Sequence, residues 1–248
     1  IAVLTRNSVS IENKNAIIVS RPVQTVATDA TRIHKDGFKH FMEKEIYEQP
    51  SVLSRTLEAY ISEDNIINLP LAGIADDFDF KTVKRVTMVA CGTAYFACLT
   101  AKYWFEKLAR IPVEIDVASE FRYREPPLPS GTLAIFVSQS GETADTLAAL
   151  SYCTDKADDI WSVTNVEESS IARAADVNCP IYAGVEVGVA STKAFTCQLT
   201  VLLCIALAAA QARKKLSPMV ISDLNVEMRR IPALITQALD GRDTLLAA

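Results

Sequence analysis

Apolar positions change their period along the chain. Over the first twenty residues they fall in short runs, Ile1–Leu4, Ser8–Ile11 and Ala16–Val19, broken by Asn7 and by Glu12-Asn-Lys-Asn15. Short apolar runs divided by turn-forming residues predict a β meander, and one this small cannot bury a face of its own. Between Lys39 and Tyr60, apolar or aromatic residues stand at 41, 42, 46, 47, 53 and 57. That spacing is helical, with Pro50 expected to open a second helix because proline removes a helical hydrogen bond. Asn65 to Phe80, carrying Pro70, Gly73 and several Asp, reads as a loop-rich connector.

From Lys84 onward the pattern alternates. Val86–Ala90, Val113–Val117, Thr132–Val137, Ile160–Thr164 and Val177–Ile181 are short apolar runs rich in β-formers. Between and after them come helical patterns at Tyr95–Leu108, Thr143–Cys153 and Ser169–Ala174, a long one from Thr192 to about Arg213, and a last one from Ser217 or Pro218 towards Asp240. Five apolar strands separated by helices predict an α/β fold: a doubly wound, five-stranded parallel sheet flanked by helices. The β and helical segments before it form a short N-terminal lead-in.

Composition narrows the function classes. Half of the 248 residues are hydrophobic, and Gly (8) and Pro (10) are scarce, so the chain is neither fibrous nor low-complexity. A net charge of −5 argues against nucleic acid, which needs a basic footprint. Any anionic ligand must then be held by local donors rather than by bulk charge. The six cysteines, Cys91, Cys98, Cys153, Cys179, Cys197 and Cys204, form no C-x-x-C pair and lie far from His34 and His40. No metal site or cofactor is expected from them. Buried, reduced thiols in a cytoplasmic protein fit this usage. The apolar run Leu199–Ala210 is too short to span a bilayer, and no signal peptide opens the chain, so no membrane partner is expected. Because the chain starts at Ile1 in mid-pattern, it reads as part of something longer.

In an open parallel sheet, ligands bind beyond the carboxyl ends of the strands. Three such ends carry unusual residues: Cys91-Gly92-Thr93, Ser138-Gln139-Ser140-Gly141-Glu142-Thr143, and Gly184 to Lys193. At the second, a buried strand stops at hydroxyl and amide groups around one glycine, and a helix begins. Backbone N–H groups at a helix start, with Ser and Thr donors, suit a phosphate. No Lys or Arg occurs between Arg124 and Lys156, so a phosphate there would rest on neutral donors. Ser140 or Thr143 could instead serve only as an N-cap, although capping has no use for Gln139. The P-loop and the dinucleotide fingerprint are both absent. Cys91 lacks a histidine to activate it and reads as a wall residue, while Gly92 would let a ligand approach closely. Glu142 and Glu186 stay open as bases, and Lys193 reads as an exposed helix-start lysine.

Ser138-Gln-Ser-Gly-Glu-Thr-Ala-Asp-Thr-Leu147 resembles the signature of sugar isomerase (SIS) domains. With Ala90-Cys-Gly-Thr93, Ala118-Ser-Glu-Phe-Arg-Tyr-Arg124, Gly188-Val-Ala-Ser-Thr-Lys-Ala-Phe195 and Lys44-Glu-Ile-Tyr-Glu-Gln-Pro50, the set is similar to the glutamine–fructose-6-phosphate aminotransferase family, which makes glucosamine 6-phosphate. That resemblance implies a partition. Residues 1–30 would be the end of a glutaminase domain, 31–82 a helical connector, 83–215 the first SIS domain, and 216–248 a helix leading towards a second SIS domain. It further implies Ser138, Gln139, Ser140 and Thr143 as phosphate ligands, with Cys91, Gly92, Thr93, Val189 and Ser191 lining the sugar. Fructose 6-phosphate and glucosamine 6-phosphate are the implied ligands, and a homodimer through isomerase domains the implied assembly. No proton-transfer residue is implied within the chain, so the isolated chain is expected to be inactive. Ala94 departs from the serine that many relatives carry after Cys-Gly-Thr.

Two other functions remain open on these residues. One is a non-catalytic phosphosugar sensor, which would be expected to carry a basic helix-turn-helix segment that the chain lacks. The other is a stand-alone aldose–ketose isomerase, which would need Glu142 or Glu186 as its base.

Overall fold

Five parallel strands build the sheet, in the order β4-β3-β5-β6-β7. They are β3 (Arg85–Ala90), β4 (Val113–Val117), β5 (Thr132–Ser138), β6 (Asp159–Thr164) and β7 (Val177–Pro180). This is a computed structural model, and it describes residues 1–21, 34–69 and 78–242. The helices are α1 (Phe41–Tyr60), α2 (Gly92–Trp104), α3 (Ala118–Arg124), α4 (Ala144–Cys153), α5 (Ser170–Ala174), α6 (Lys193–Ala212) and α7 (Pro218–Asp240). The doubly wound architecture expected from the alternating pattern is present.

Pleating explains the composition of the central strands. Val86, Met88 and Ala90 of β3 and Leu133, Ile135 and Val137 of β5 point into one core, together with residues of α1, α2 and α6. The intervening Val89, Ala134 and Phe136 point into a second core, with residues of α3, α4 and α5. A strand covered on both sides cannot alternate apolar with polar, so β5 is buried at all seven positions. The edge strand β4 carries Glu114 and Asp116 instead, paired with Arg85 and Arg124, a charged edge that discourages pairing with another chain.

The N-terminal meander belongs to a separate compact unit, Ile1–His34. There β1 (Ala2–Leu4) pairs antiparallel with β2 (Val9–Ile11). The expected third strand at Ala16–Val19 is only an isolated bridge, Glu12 to Ile18. Ile1, Leu4 and Ile18 are largely exposed, since two short strands cannot bury a face of their own.

Several elements differ from the pattern. Pro50 does not break α1, which runs unbroken from Phe41 to Tyr60. Proline removes the N–H that would bond the Ile46 carbonyl, and the Gln49 side-chain amide donates to that carbonyl instead, at 3.0 Å. Helix α2 starts at Gly92 rather than Tyr95 and widens into a π-helical turn at Phe105–Ala109. Helix α3 follows β4 with no intervening loop and buries only Ala118 and Phe121, too few apolar positions to register as a period. Residues 70–77 of the connector lie outside the described residues. Helix α6 is, by length and composition, the one described helix that a bilayer could accept, longer than the run Leu199–Ala210 implied. Its apolar surface is spent inside the protein, where Val201, Leu202, Ile205 and Ala206 are fully buried.

The far end of α6 is tied by Arg213. Its guanidinium donates to the carbonyls of Ala109, Phe80 and Val83, joining α6 to the end of the π turn and to the segment entering β3. A hydrogen bond from a charged donor is worth about 1.5–3 kcal/mol, and the hydration that the guanidinium gives up offsets part of the three made here. Arg213→Met is therefore expected to lower unfolding free energy by about 2 kcal/mol, seen in urea titration as a lower midpoint at unchanged slope.

Candidate functional site

Register places the strand ends that matter side by side. Ala90 of β3 lies opposite Val137 of β5 on one side and Val117 of β4 on the other. After β3 the chain crosses to β4 at the edge, and from β4 it returns past β3 to β5. Winding therefore reverses between β3 and β5, and a crevice opens beyond their carboxyl ends. A cavity of about 420 Å³ lies there.

Every residue expected at the site lines that cavity: Cys91, Gly92, Thr93, Ser138, Gln139, Ser140, Thr143, Val189 and Ser191. Glu186 and Gln198 line it as well. Cys91 is half-buried, whereas burial pushes the thiols of Cys153 and Cys204 up to about 12 and that of Cys197 to about 11. Those buried sulfurs are packing groups. Gly92 has φ +58° with nothing within 4 Å of where a Cβ would sit, so the cavity floor is open at that point. Val189 is fully exposed, at the rim.

The turn after β5 is a tight hydrogen-bonded unit. The Ser138 hydroxyl lies 2.9 Å from that of Thr143 and accepts from Gly141 N at 3.1 Å, while Ser140 Oγ accepts from Glu142 N. Gly141 has φ +67°, and a Cβ there would lie 1.9 Å from Ser169 Oγ. No other residue fits both the conformation and the space. Thr143 holds the N-cap position of α4, yet its side chain makes no capping hydrogen bond. The capping role considered for it is therefore absent. Its hydroxyl pairs with Ser138, and one proton of that pair stays free for a ligand. The first N–H groups of α4 also have no side-chain cap, and they carry the positive end of the helix dipole. Among the described residues, no Lys or Arg lines the cavity.

The opposite loop, Gly184–Thr192, is held by α1. Glu45, only 2% exposed, accepts from Val187 N at 2.5 Å and from Gly188 N at 3.0 Å. Lys193 is not the exposed lysine expected from its helix-start position. It is buried and paired with Glu48 at 2.6 Å, so its charge serves the fold. Further along α1, Thr56 and Tyr60 donate to the carbonyls of Ile181 and Pro180. Sequence reasoning missed the work of Glu45 and Glu48. A signal was present: Glu45 shares a helix face with Val52, Thr56 and Tyr60, and a carboxylate on a buried face must find donors.

Both carboxylates considered as bases are occupied. Glu186 accepts from Ser191 Oγ, Thr192 N and Ala194 N, so it caps α6. Glu142 turns away from the cavity and accepts from Ser170 N at 2.7 Å. Ser191 gives its only proton to Glu186 and can offer a ligand only an acceptor.

The part of the chain that builds this switch point matches a known family. The SIS domain family matches residues 79–208, more than half the chain. The chain belongs to the SIS domain family. Among SIS relatives it is 49% identical over 247 residues to a protein of Brucella abortus named glutamine–fructose-6-phosphate aminotransferase [isomerizing], covering 99% of this chain and 40% of that protein. The chain thus spans about two-fifths of the length of the curated relatives it matches. Among solved SIS structures, it is similar to the C-terminal domain of glucosamine-fructose-6-phosphate aminotransferase from Francisella tularensis. That match has a TM-score of 0.78 and 42% identity, and covers 84% of this chain and 58% of the other. A glucosamine-6-phosphate deaminase from Thermotoga maritima superposes with a TM-score of 0.58 at 25% identity, over 77% of this chain and 54% of its own.

The Glu142 contact has a pH signature. The Ser170 backbone N–H holds this carboxyl below its ordinary range, and nearby Arg173 adds to the effect. A carboxylate whose folded pKa is depressed stabilises the fold above its unfolded pKa and loses that contribution as pH falls through the folded value. Glu142→Gln is therefore expected to be less stable than the parent at pH 7, with the two curves converging in thermal melts as pH falls below the ordinary glutamate range.

Proposed function

We propose that this chain is the fructose 6-phosphate binding part of a glutamine–fructose-6-phosphate aminotransferase (isomerizing), supplying phosphate anchoring and orientation for the chemistry of the whole enzyme. The observation that carries this is the Ser138–Thr143 hydroxyl pair at the uncapped start of α4, open to the cavity. Ser138, Gln139, Ser140 and Thr143 surround the phosphate, joined by the first N–H groups of α4. Cys91, Gly92, Thr93, Val189 and Ser191 line the sugar, and Ser191, with its proton committed to Glu186, accepts from a sugar hydroxyl. Holding the substrate in one pose is the proximity part of catalysis.

The domain partition follows the same reading. Residues 83–215 form the first SIS domain, 1–30 the end of a glutaminase domain, 31–82 a connector that includes α1, and 216–248 a segment that includes α7 and leads towards a second SIS domain. Exposed Phe96 and Tyr103, seven apart on α2, support a homodimer through the isomerase domains. The buried thiols support a reducing, cytoplasmic setting.

Neutral donors on a phosphate are charge-assisted bonds worth about 1.5–3 kcal/mol each. Calorimetric titration with fructose 6-phosphate is expected to show affinity falling roughly 10- to 100-fold in Ser138→Ala and in Thr143→Val. Unchanged affinity in both would overturn the assignment. The chain alone, given fructose 6-phosphate and ammonia, is expected to form no glucosamine 6-phosphate. Among the described residues, Cys91 and Glu186 are the only ionisable ones lining the cavity, and Glu186 is fully engaged. Turnover by the isolated chain would refute the division of labour proposed here.

A further inference from the structure

Six buried side-chain polar atoms have no hydrogen-bond partner among the described residues. Only one of them, Gln198 Oε1, belongs to a residue that lines the cavity. Gln198 is 1% exposed and sits in the second turn of α6, on a helix whose neighbouring side chains Ala194, Cys197, Val201 and Leu202 are all apolar or thiol and fully buried. A carboxamide in such surroundings is costly when its oxygen is unmatched, because the hydrogen bond it made to water in the unfolded chain is not replaced. A methionine or leucine would fill the same space without that penalty. The buried amide therefore points to a partner that arrives from the cavity, and since Oε1 has no exposed surface without one, the carboxamide turns towards that partner when it binds.

We propose that Gln198 is a specificity-determining residue that reads a hydroxyl of the sugar chain; this rests on the phosphosugar function proposed above. The chemistry of the atom selects the partner. Oε1 is an acceptor and needs a donor. A phosphate dianion offers acceptors only, and it is already provided for at the turn after β5 and the start of α4. A polyol carries a donor on every carbon. With the phosphate anchored on the Ser138–Thr143 turn, the part of the ligand that reaches α6 is the hydroxylated chain. Ser191 and Gln198 then act alike: each presents an acceptor to the sugar, while the groups around the phosphate present donors. The cavity is divided by hydrogen-bond polarity, and a ligand with a phosphate at one end and hydroxyls along its length matches both parts.

Gln198→Met tests this, since methionine keeps the length and volume of glutamine and removes both polar atoms. Titrations of the 248-residue chain with fructose 6-phosphate and with inorganic phosphate, followed by NMR shifts, are compared with thermal melts. The expected result is about tenfold weaker binding of fructose 6-phosphate, inorganic phosphate affinity within twofold of the parent, and a melting temperature equal to or above the parent's. Unchanged fructose 6-phosphate affinity would overturn the proposal and leave the phosphosugar function standing, with a cavity water as the partner of Oε1. Equal weakening for both ligands would overturn it too, by showing a distorted cavity. Failure of the parent chain to bind fructose 6-phosphate would remove both this proposal and the function on which it rests.

Discussion

The parallel pairing of β3 with β5, with Ala90 set beside Val137, is the constraint from which the site follows. Because β4 lies on the far side of β3, the chain must leave these two strands in opposite directions, and neither helix that follows can cover the gap between them. Burial on both faces fixes the strands within the sheet, so the gap cannot close by sliding. The Cys91–Thr93 and Ser138–Thr143 segments then face each other as a consequence of topology. Tertiary packing far from any ligand sets their separation.

Charge is distributed unevenly around that crevice. The side chains that would meet a phosphate are neutral, while Glu45, Glu48 and Lys193 sit just behind the lining with their charges matched. Buried ions are tolerable only when every lone pair and proton has a partner, and here the partners are loop N–H groups and one another. The acidic net charge of the chain is thus no obstacle to an anionic ligand. What counts is the direction of a few N–H and O–H dipoles at one helix start.

Much of this was readable in the sequence, for reasons that differ by element. β3 and β5 announce themselves because burial on both faces demands uninterrupted apolar runs. The residues that line the cavity were legible because strand ends in such a sheet are where unexplained hydroxyls and glycines gather. α3 escaped because a seven-residue helix with two buried side chains has no period to detect. Pro50 misled because its cost is set by whether the freed carbonyl finds another donor, and Gln49 supplies one across a single residue. Lys193 was misjudged and Glu45 missed for a shared reason: the partner of a buried charge lies more than 140 residues away, and spacing along the chain says nothing about it. Gln198 was passed over because a single polar residue beside a long apolar run looks like the run's boundary.

The continuity of α1 across Pro50 has a consequence for how this fold can be divided. One unbroken rod carries Glu45 and Glu48 near one end and Thr56 and Tyr60 near the other, so it grips both the exit of β7 and the loop that follows. The segment recognisable as the SIS family, residues 79–208, does not include that rod. A piece cut at those limits would retain all five strands and the turn after β5, yet the Gly184–Thr192 loop would lose its anchor. The Val187 and Gly188 N–H groups, and the Lys193 ammonium at the start of α6, would turn to water, and the loop would sample many shapes. The boundary of the inherited module and the boundary of the smallest piece that keeps both walls of the cavity in place are different lines on this chain, and α1 is the distance between them.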